Sequence, residues 1–219
     1  MMFNLSYLII PALSYLIGSF PTALFFNKAV NKIDPRKTGS KNLGALNTLR
    51  ITAKQKGKLK GILAFLCVFL IDALKGVACV AIAMNFIPEN TLLAAVLASS
   101  FAILGHNYSI LLKFEGGRGA ATFLGILFFL DWKMFFLWLI SIAIFAFIFE
   151  LIVPISNTGN FFKRALSDQI IGRLTGEIVA LIPFYFLNPF VFWVALPSVF
   201  LIIVKHIDRI KNQLDNYGQ

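Results

Sequence analysis

Residues 61–84 read GILAFLCVFLIDALKGVACVAIAM, and the class of the protein turns on them. At about 1.5 Å per residue a helix of this length crosses the roughly 30 Å of hydrocarbon in a bilayer. Its only charges are Asp72 and Lys75, three residues apart and so on one helix face. An ionisable side chain deep in a span costs roughly 2.5–3.5 kcal/mol on insertion scales, so it faces protein, water or ligand rather than lipid. Lys75 is therefore a candidate site residue, with a self-neutralising Asp72–Lys75 pair as the alternative. Cys67 and Cys79 share this helix about 18 Å apart, beyond disulfide reach, and read as packing residues.

The rest of the chain agrees with a membrane class. Of 219 residues 58% are hydrophobic and 24 are Phe, more apolar surface than one soluble globule hides. Lys and Arg outnumber Asp and Glu by 20 to 10 and cluster in a few loops, which sets orientation and favours anionic partners: lipid headgroups or phosphorylated metabolites. Nothing resembles a nucleic-acid module. Two histidines support neither a metal cluster nor a Ser-His-Asp arrangement. The N-terminal run from Leu5 to Phe26 lacks a basic n-region and reads as the first span. It ends in Gly18-Ser19-Phe20-Pro21-Thr22, where Pro21 frees backbone carbonyls unless a neighbour satisfies them. Such a kink either borders a cavity or merely shapes packing.

Between these two spans, residues 28–60 carry ten of the twenty basic residues against Asp34 alone. The positive-inside rule puts this polar loop in the cytoplasm and the N-terminus outside. Within it Gly39, Ser40, Asn42, Gly44, Asn47 and Arg50 gather flexible backbone, a hydroxyl, two amides and a cation, a set able to bind phosphate. A solvated basic loop is the alternative, and it is the reading for Lys54 to Lys60, taken as headgroup contacts.

After a short outer loop through Pro88 and Glu89, a third helix is expected over 92–112, with His106 and Asn107 in its last two turns. Residues 105–122, GHNYSILLKFEGGRGAAT, place Gly116, Gly117 and Gly119 around Arg118 and then open another helix. Glycines let backbone N–H groups approach an anion, and a helix N-terminus aims further N–H groups at the same spot. The alternative is a plain turn with one basic residue. The run 120–130 is short for a span, and 134–153 forms a fifth helix with Trp132 and Trp138 as interfacial anchors. Residues 154–177, with Lys163, Arg164 and Arg173, read as a second polar connection. The last apolar block, 178–204, is expected to be two short helices turning at Asn188-Pro189, which returns Lys205, Arg209 and Lys211 to the cytoplasm. The expectation is an all-α integral membrane protein of about seven transmembrane helices, some short. Its N-terminus is outside, its C-terminus is cytoplasmic, and residues 1–219 form a single domain. The polar stretches 28–60, 105–119, 154–177 and 205–219 share one face.

GSFPTA at 18–23, GSKNLGALNTLR at 39–50, DALKG at 72–76 and the glycine-rich 105–122 stretch, in that order, resemble the PlsY family of membrane acyltransferases. Arg118 stands where that family usually has Lys. The C-terminal KHIDRIKN keeps His206, with Arg209 where the family has Asn. The resemblance implies transfer of a fatty acyl group from acyl phosphate to the 1-hydroxyl of glycerol 3-phosphate, giving lysophosphatidic acid and inorganic phosphate. It implies a multi-pass protein of the bacterial cell membrane with its active site towards the cytoplasm, partnered by the bilayer and by the peripheral enzyme that makes acyl phosphate. A mixed anhydride is already activated, so positioning and charge neutralisation supply most of the acceleration, and neither cofactor nor metal is expected. On this resemblance Ser40, Lys75, His106, Asn107 and His206 are the catalytic candidates. Gly39, Ser40, Asn42, Gly44, Asn47, Arg50, Gly116, Gly117, Arg118 and Gly119 are the phosphate-binding ones, with Lys75 also holding a substrate phosphate. The rival reading is a membrane transporter or a non-catalytic binder of phosphorylated metabolites.

Overall fold

A computed structural model describes residues 5–154 and 160–217; the expectations for residues 155–159 of the second polar connection and for 218–219 lie outside them. The described residues are helical apart from turns, loops and one isolated bridge, Ser109–Glu115. Among the described residues five helical segments are long and apolar enough to cross a membrane: Ser6–Asn31, Lys58–Phe86, Pro88–Asn107, Trp132–Ile152 and Ile170–Leu187. Pro189–Val204 with Ile207–Asp215, bent by 52°, makes a sixth, and Ala120–Leu130 is a shorter apolar helix. The chain divides into two compact units, Met1–Phe129 and Leu130–Gln219.

In the first unit α1 (Ser6–Gly18) stops at the predicted proline, α2 (Thr22–Phe26) resumes, and a π-helical turn, Asn27–Asn31, follows. Then come α3 (Ala45–Lys56), α4 (Lys58–Phe86), α5 (Thr91–Asn107) and α6 (Ala120–Leu130). α1 and α5 meet backbone to backbone. A Cβ at Gly18 would lie 2.1 Å from the Ala102 carbonyl oxygen, and one at Gly105 would lie 2.2 Å from that of Tyr15. Small residues are how apolar helices approach closely when lipid offers no hydrophobic drive.

Residues 28–60 are not one loop. No Gly or Pro interrupts Ala45–Lys56, and its buried positions Ala45, Thr48, Ile51 and Thr52 recur at helical spacing. The resulting helix turns Arg50, Lys54 and Lys56 outward. Asn27 donates to the Thr48 hydroxyl and Asn31 to that of Thr52, both at 2.8 Å, which bolts α3 to the π-turn. α4 starts at Lys58, three residues before the expected Gly61, so Lys58 and Lys60 stand on its first turn. The third helix is also shorter than expected. It ends at Asn107, and a 3₁₀ turn at Ile110–Leu112 leads into positive φ at Lys113 and Phe114.

The second unit holds α7 (Trp132–Ile152), the single turn α8 (Phe161–Lys163), a π-turn at Arg164–Asp168, α9 (Ile170–Val179), α10 (Leu181–Leu187), α11 (Pro189–Val204) and α12 (Ile207–Tyr217). The break at Asn188-Pro189 falls where the sequence put it. Pro189 takes a first-turn position that needs no N–H, and Asn188 caps the Val191 N–H while donating to Asp131 at 2.9 Å. Two expectations are corrected. The helix preceding that break begins at Ile170, not Ile178, so Arg173 belongs to a helix instead of the polar connection. Gly172 and Gly176 let it pack against α7 and outweigh its polar residues. Trp138 is 2% exposed and belongs to the core, while Trp132, at 57%, keeps the interfacial character expected of it. A buried polar chain closes the unit: Arg164 meets Glu150 at 2.5 Å, Gln169 donates to Glu150, Gln213 donates to Gln169, and the Gln213 carbonyl oxygen caps the Ile170 and Ile171 N–H groups.

Candidate active site

The break in the first span is where the site begins. Pro21 brings no N–H, and the Thr22 N–H turns to the Phe20 carbonyl at 3.0 Å. The Gly18 and Ser19 carbonyls therefore need donors from elsewhere, and two neighbouring segments supply them while also reaching the Phe20 carbonyl. Lys75 Nζ lies 2.8 Å from the Phe20 oxygen and 3.4 Å from that of Gly18, and the Ser109 hydroxyl donates to the Ser19 oxygen at 2.6 Å. Lys75 is also 2.8 Å from Asp72 Oδ1. The ammonium thus donates to two carbonyls and is ion-paired with a third oxygen. The internal ion pair that the sequence left open is the arrangement present, and it is shared with the broken helix.

His106, on the last turn of α5, stands beside this pair. Its Nδ1 lies 3.9 Å from Asp72 Oδ1 and 3.4 Å from the Thr122 hydroxyl on α6. The carbonyl of His106 accepts the Gly117 N–H at 2.9 Å, which folds the second glycine loop back over the imidazole. A Cβ at Gly117 would lie 2.1 Å from His106 Nε2 and 2.8 Å from the Leu43 carbonyl oxygen, so this loop and the first one are in contact here. Gly119, with φ +78°, then leads into α6. Arg36 ties the loops again at the surface. It pairs with Asp34 at 2.7 Å and with Glu115 at 3.5 Å. The hydrogen bond from Arg36 holds the Asp34 carboxyl at about 2, below its ordinary 3.8, so this loop charge stays constant through the physiological range.

Asn47 organises the first loop. Its Nδ2 lies 3.0–3.1 Å from the carbonyls of Pro35, Thr38 and Asn42, and its Oδ1 accepts the Ser40 N–H at 3.0 Å. Gly39 (φ +64°) and Lys41 (φ +57°) are the turns this wrapping requires. The Asn47 amide is engaged inside the loop, while Ser40 and Arg50 are exposed at its surface. Asn47→Ala is expected to cost about 2–4 kcal/mol through the several carbonyls and one N–H it orphans. It should raise the Michaelis constants for phosphorylated substrates; an unchanged melting temperature in detergent would remove this role.

Ser19, Phe20, Pro21, Thr22, Leu43, Asp72, His106, Ser109, Leu112, Gly116 and Gly117 line one cleft. It unites the kinked segment from Ser19 to Thr22, Asp72 of the DALKG motif, His106 and both glycine loops. Asn107 is fully buried beside it, within reach of a Cβ at Gly116. His206 belongs to the second unit, buried there with its Nδ1 2.8 Å from the Ile202 carbonyl oxygen. Sequence reasoning missed Ser109 and Thr122, which are single hydroxyls without a spacing signal. It also missed the Asn27/Asn31 and Thr48/Thr52 pairs, whose matching four-residue spacing could have been read.

The family profile described as "Glycerol-3-phosphate acyltransferase" matches residues 8–216. A glycerol-3-phosphate acyltransferase from Wolbachia pipientis is 37% identical over 206 residues, 94% of each chain. One from Mesorhizobium japonicum is 33% identical over 201 residues, 91% of this chain and 88% of that one. Among solved structures, the chain is similar to the glycerol 3-phosphate form of PlsY, an integral membrane glycerol 3-phosphate acyltransferase. The TM-score is 0.65 at 25% identity, over 97% of this chain and 94% of that one. The lysophosphatidic acid form of the same protein superposes with a TM-score of 0.67.

Proposed function

We propose that this chain, which belongs to the glycerol-3-phosphate acyltransferase (PlsY) family, acylates the 1-hydroxyl of glycerol 3-phosphate with acyl phosphate as its donor. The observation that carries the reading is the meeting of two glycine loops at the cleft that Asp72 and His106 line. Both substrates are phosphorylated, and their charges repel unless cations intervene. Ser40, Asn42 and Arg50, on the loop that Asn47 shapes, take one phosphate. The glycine loop around Arg118 takes the other, through Arg118 and those of its amides that are not, like the Gly117 N–H, already donated to the His106 carbonyl.

In the reaction the acceptor hydroxyl oxygen attacks the acyl carbonyl carbon, the bond from that carbon to the phosphate oxygen breaks, and inorganic phosphate leaves. His106, oriented through Nδ1 by Asp72 and Thr122, accepts the hydroxyl proton or passes it to the departing phosphate. Asn107 orients the reactants. Lys75, engaged by Asp72 and two carbonyls, positions the site instead of binding phosphate. One family profile runs through both units, which supports a single acyltransferase domain. The chain is a multi-pass membrane protein of bacterial type. Its basic loops support an active site towards the cytoplasm, where a peripheral enzyme delivers acyl phosphate.

Purified protein in detergent, given palmitoyl phosphate and glycerol 3-phosphate, is expected to release inorganic phosphate and lysophosphatidic acid in equal amounts, and to do so only with both substrates present. Turnover with an acyl thioester in place of acyl phosphate would overturn the donor assignment. Flux of phosphorylated metabolites into liposomes without product would favour a transporter.

A further inference from the structure

The helix break carries two hydroxyls that the reaction scheme above leaves unused. Ser19 is 1% exposed and Thr22 is 5% exposed, and neither Ser19 Oγ nor Thr22 Oγ1 has a hydrogen-bond partner. A buried hydroxyl left unpaired weakens a fold, and two of them within four residues call for a reason. Both residues line the cleft beside Asp72 and His106. The carbonyls around them are fully occupied: Lys75 and Ser109 hold the backbone of the break in place, so the two side chains are presented by a rigid frame.

Charge decides what they take. Among the described residues no Lys or Arg lines this cleft, the nearby Lys75 ammonium is spent on Asp72 and two carbonyls, and the other walls are Phe20, Pro21, Leu43 and Leu112 with Ser109, Gly116 and Gly117. Such a lining suits neutral hydroxyls on a short carbon chain and disfavours a phosphate, whose cationic partners stand on the loops. We infer that Ser19 and Thr22 form the polyol subsite: their hydroxyls bind the glyceryl hydroxyl groups of the acceptor, while its phosphate points to the basic loops. The acceptor's hydroxyls complete the two orphaned groups. The inference rests on glycerol 3-phosphate being the acceptor, and it is independent of the donor.

The test needs no donor. Binding of glycerol 3-phosphate and of 3-hydroxypropyl phosphate, which lacks the 2-hydroxyl, is measured by calorimetry on the full chain in detergent. The wild type is expected to prefer glycerol 3-phosphate by about tenfold. Ser19→Ala combined with Thr22→Val should bind the two ligands alike, with a melting temperature no lower than wild type because two unpaired buried hydroxyls are gone. Thr22→Ser, which keeps a hydroxyl, should retain the preference. If the double variant folds poorly, Ser19→Ala alone should still narrow the preference. A preference that survives in the double variant overturns the subsite, and so does an equal loss for both ligands accompanied by a lower melting temperature. Failure of the wild type to bind glycerol 3-phosphate would overturn the acceptor reading along with it, which separates the two failures.

Discussion

Lys75→Met is expected to lower stability by about 3–5 kcal/mol and to remove turnover, because it strips the charge from Asp72 of its partner inside a span. Asp72 is 2% exposed, and in a buried site a carboxylate that loses its cation pays desolvation with no return. The same change also removes the donor of the Gly18 carbonyl and leaves the Phe20 carbonyl with the Thr22 N–H alone. Adding Asp72→Asn should recover much of the stability, since the unpaired charge is then gone, but not the activity. The frame of the break would still lack its ammonium, and His106 would face an amide in place of a carboxylate. Melting temperatures in detergent, compared with product formation for the two single variants and the pair, measure the coupling directly. A Lys75→Met protein with wild-type melting temperature would show that the ion pair is dispensable to the fold. One that also turned over normally would remove Lys75 from the site altogether.

Gly117→Ala should lower kcat by about 100-fold or more, with a smaller effect on stability of roughly 1–3 kcal/mol. The added Cβ would sit 2.1 Å from His106 Nε2 and 2.8 Å from the backbone oxygen of Leu43. The imidazole has to leave, and the first loop has to give as well. Displacing His106 breaks its approach to Asp72 and Thr122, so the loss falls on the chemical step. Gly57→Ala is the control. Gly57 has φ +91° and ψ 160° but no atom within 4 Å of a new Cβ, so it costs backbone strain alone, about 1–3 kcal/mol, and should leave kcat as it was. Near-normal kcat in Gly117→Ala would mean that His106 is not held for catalysis by this loop.

The reading from sequence succeeded where a signal is local. Pro21 and the Asn188-Pro189 pair stand at helix breaks, where the missing N–H and the neighbouring turn residues act together, whereas Pro11 and Pro197 sit inside helices. It faltered where a segment's state depends on what it packs against. Ala45–Lys56 looked like basic loop because its lysines dominate the composition, yet its buried face against the π-turn makes it a helix. Residues 170–177 looked polar for the same reason, although Gly172 and Gly176 mark a close helix contact. Trp138 was read as an anchor from residue type, and only its neighbours show that it is core.

The sequence by itself determined the membrane class, the order of the apolar segments and the motifs that gather in the first 122 residues, since hydropathy and spacing are written along the chain. It also showed that Asp72 and Lys75 share a face. Only the tertiary structure decided what that face meets. Lys75 is spent on the carbonyls that Pro21 frees, some 55 residues earlier in the chain, and His106 joins Asp72 from a third helix. Ser19 and Thr22 became visible as candidates only once every other polar group of the break had been matched to a donor or acceptor. The physical reason is that hydrogen-bond satisfaction in a low-dielectric interior is settled between segments, and no spacing along one of them records which partner another will supply.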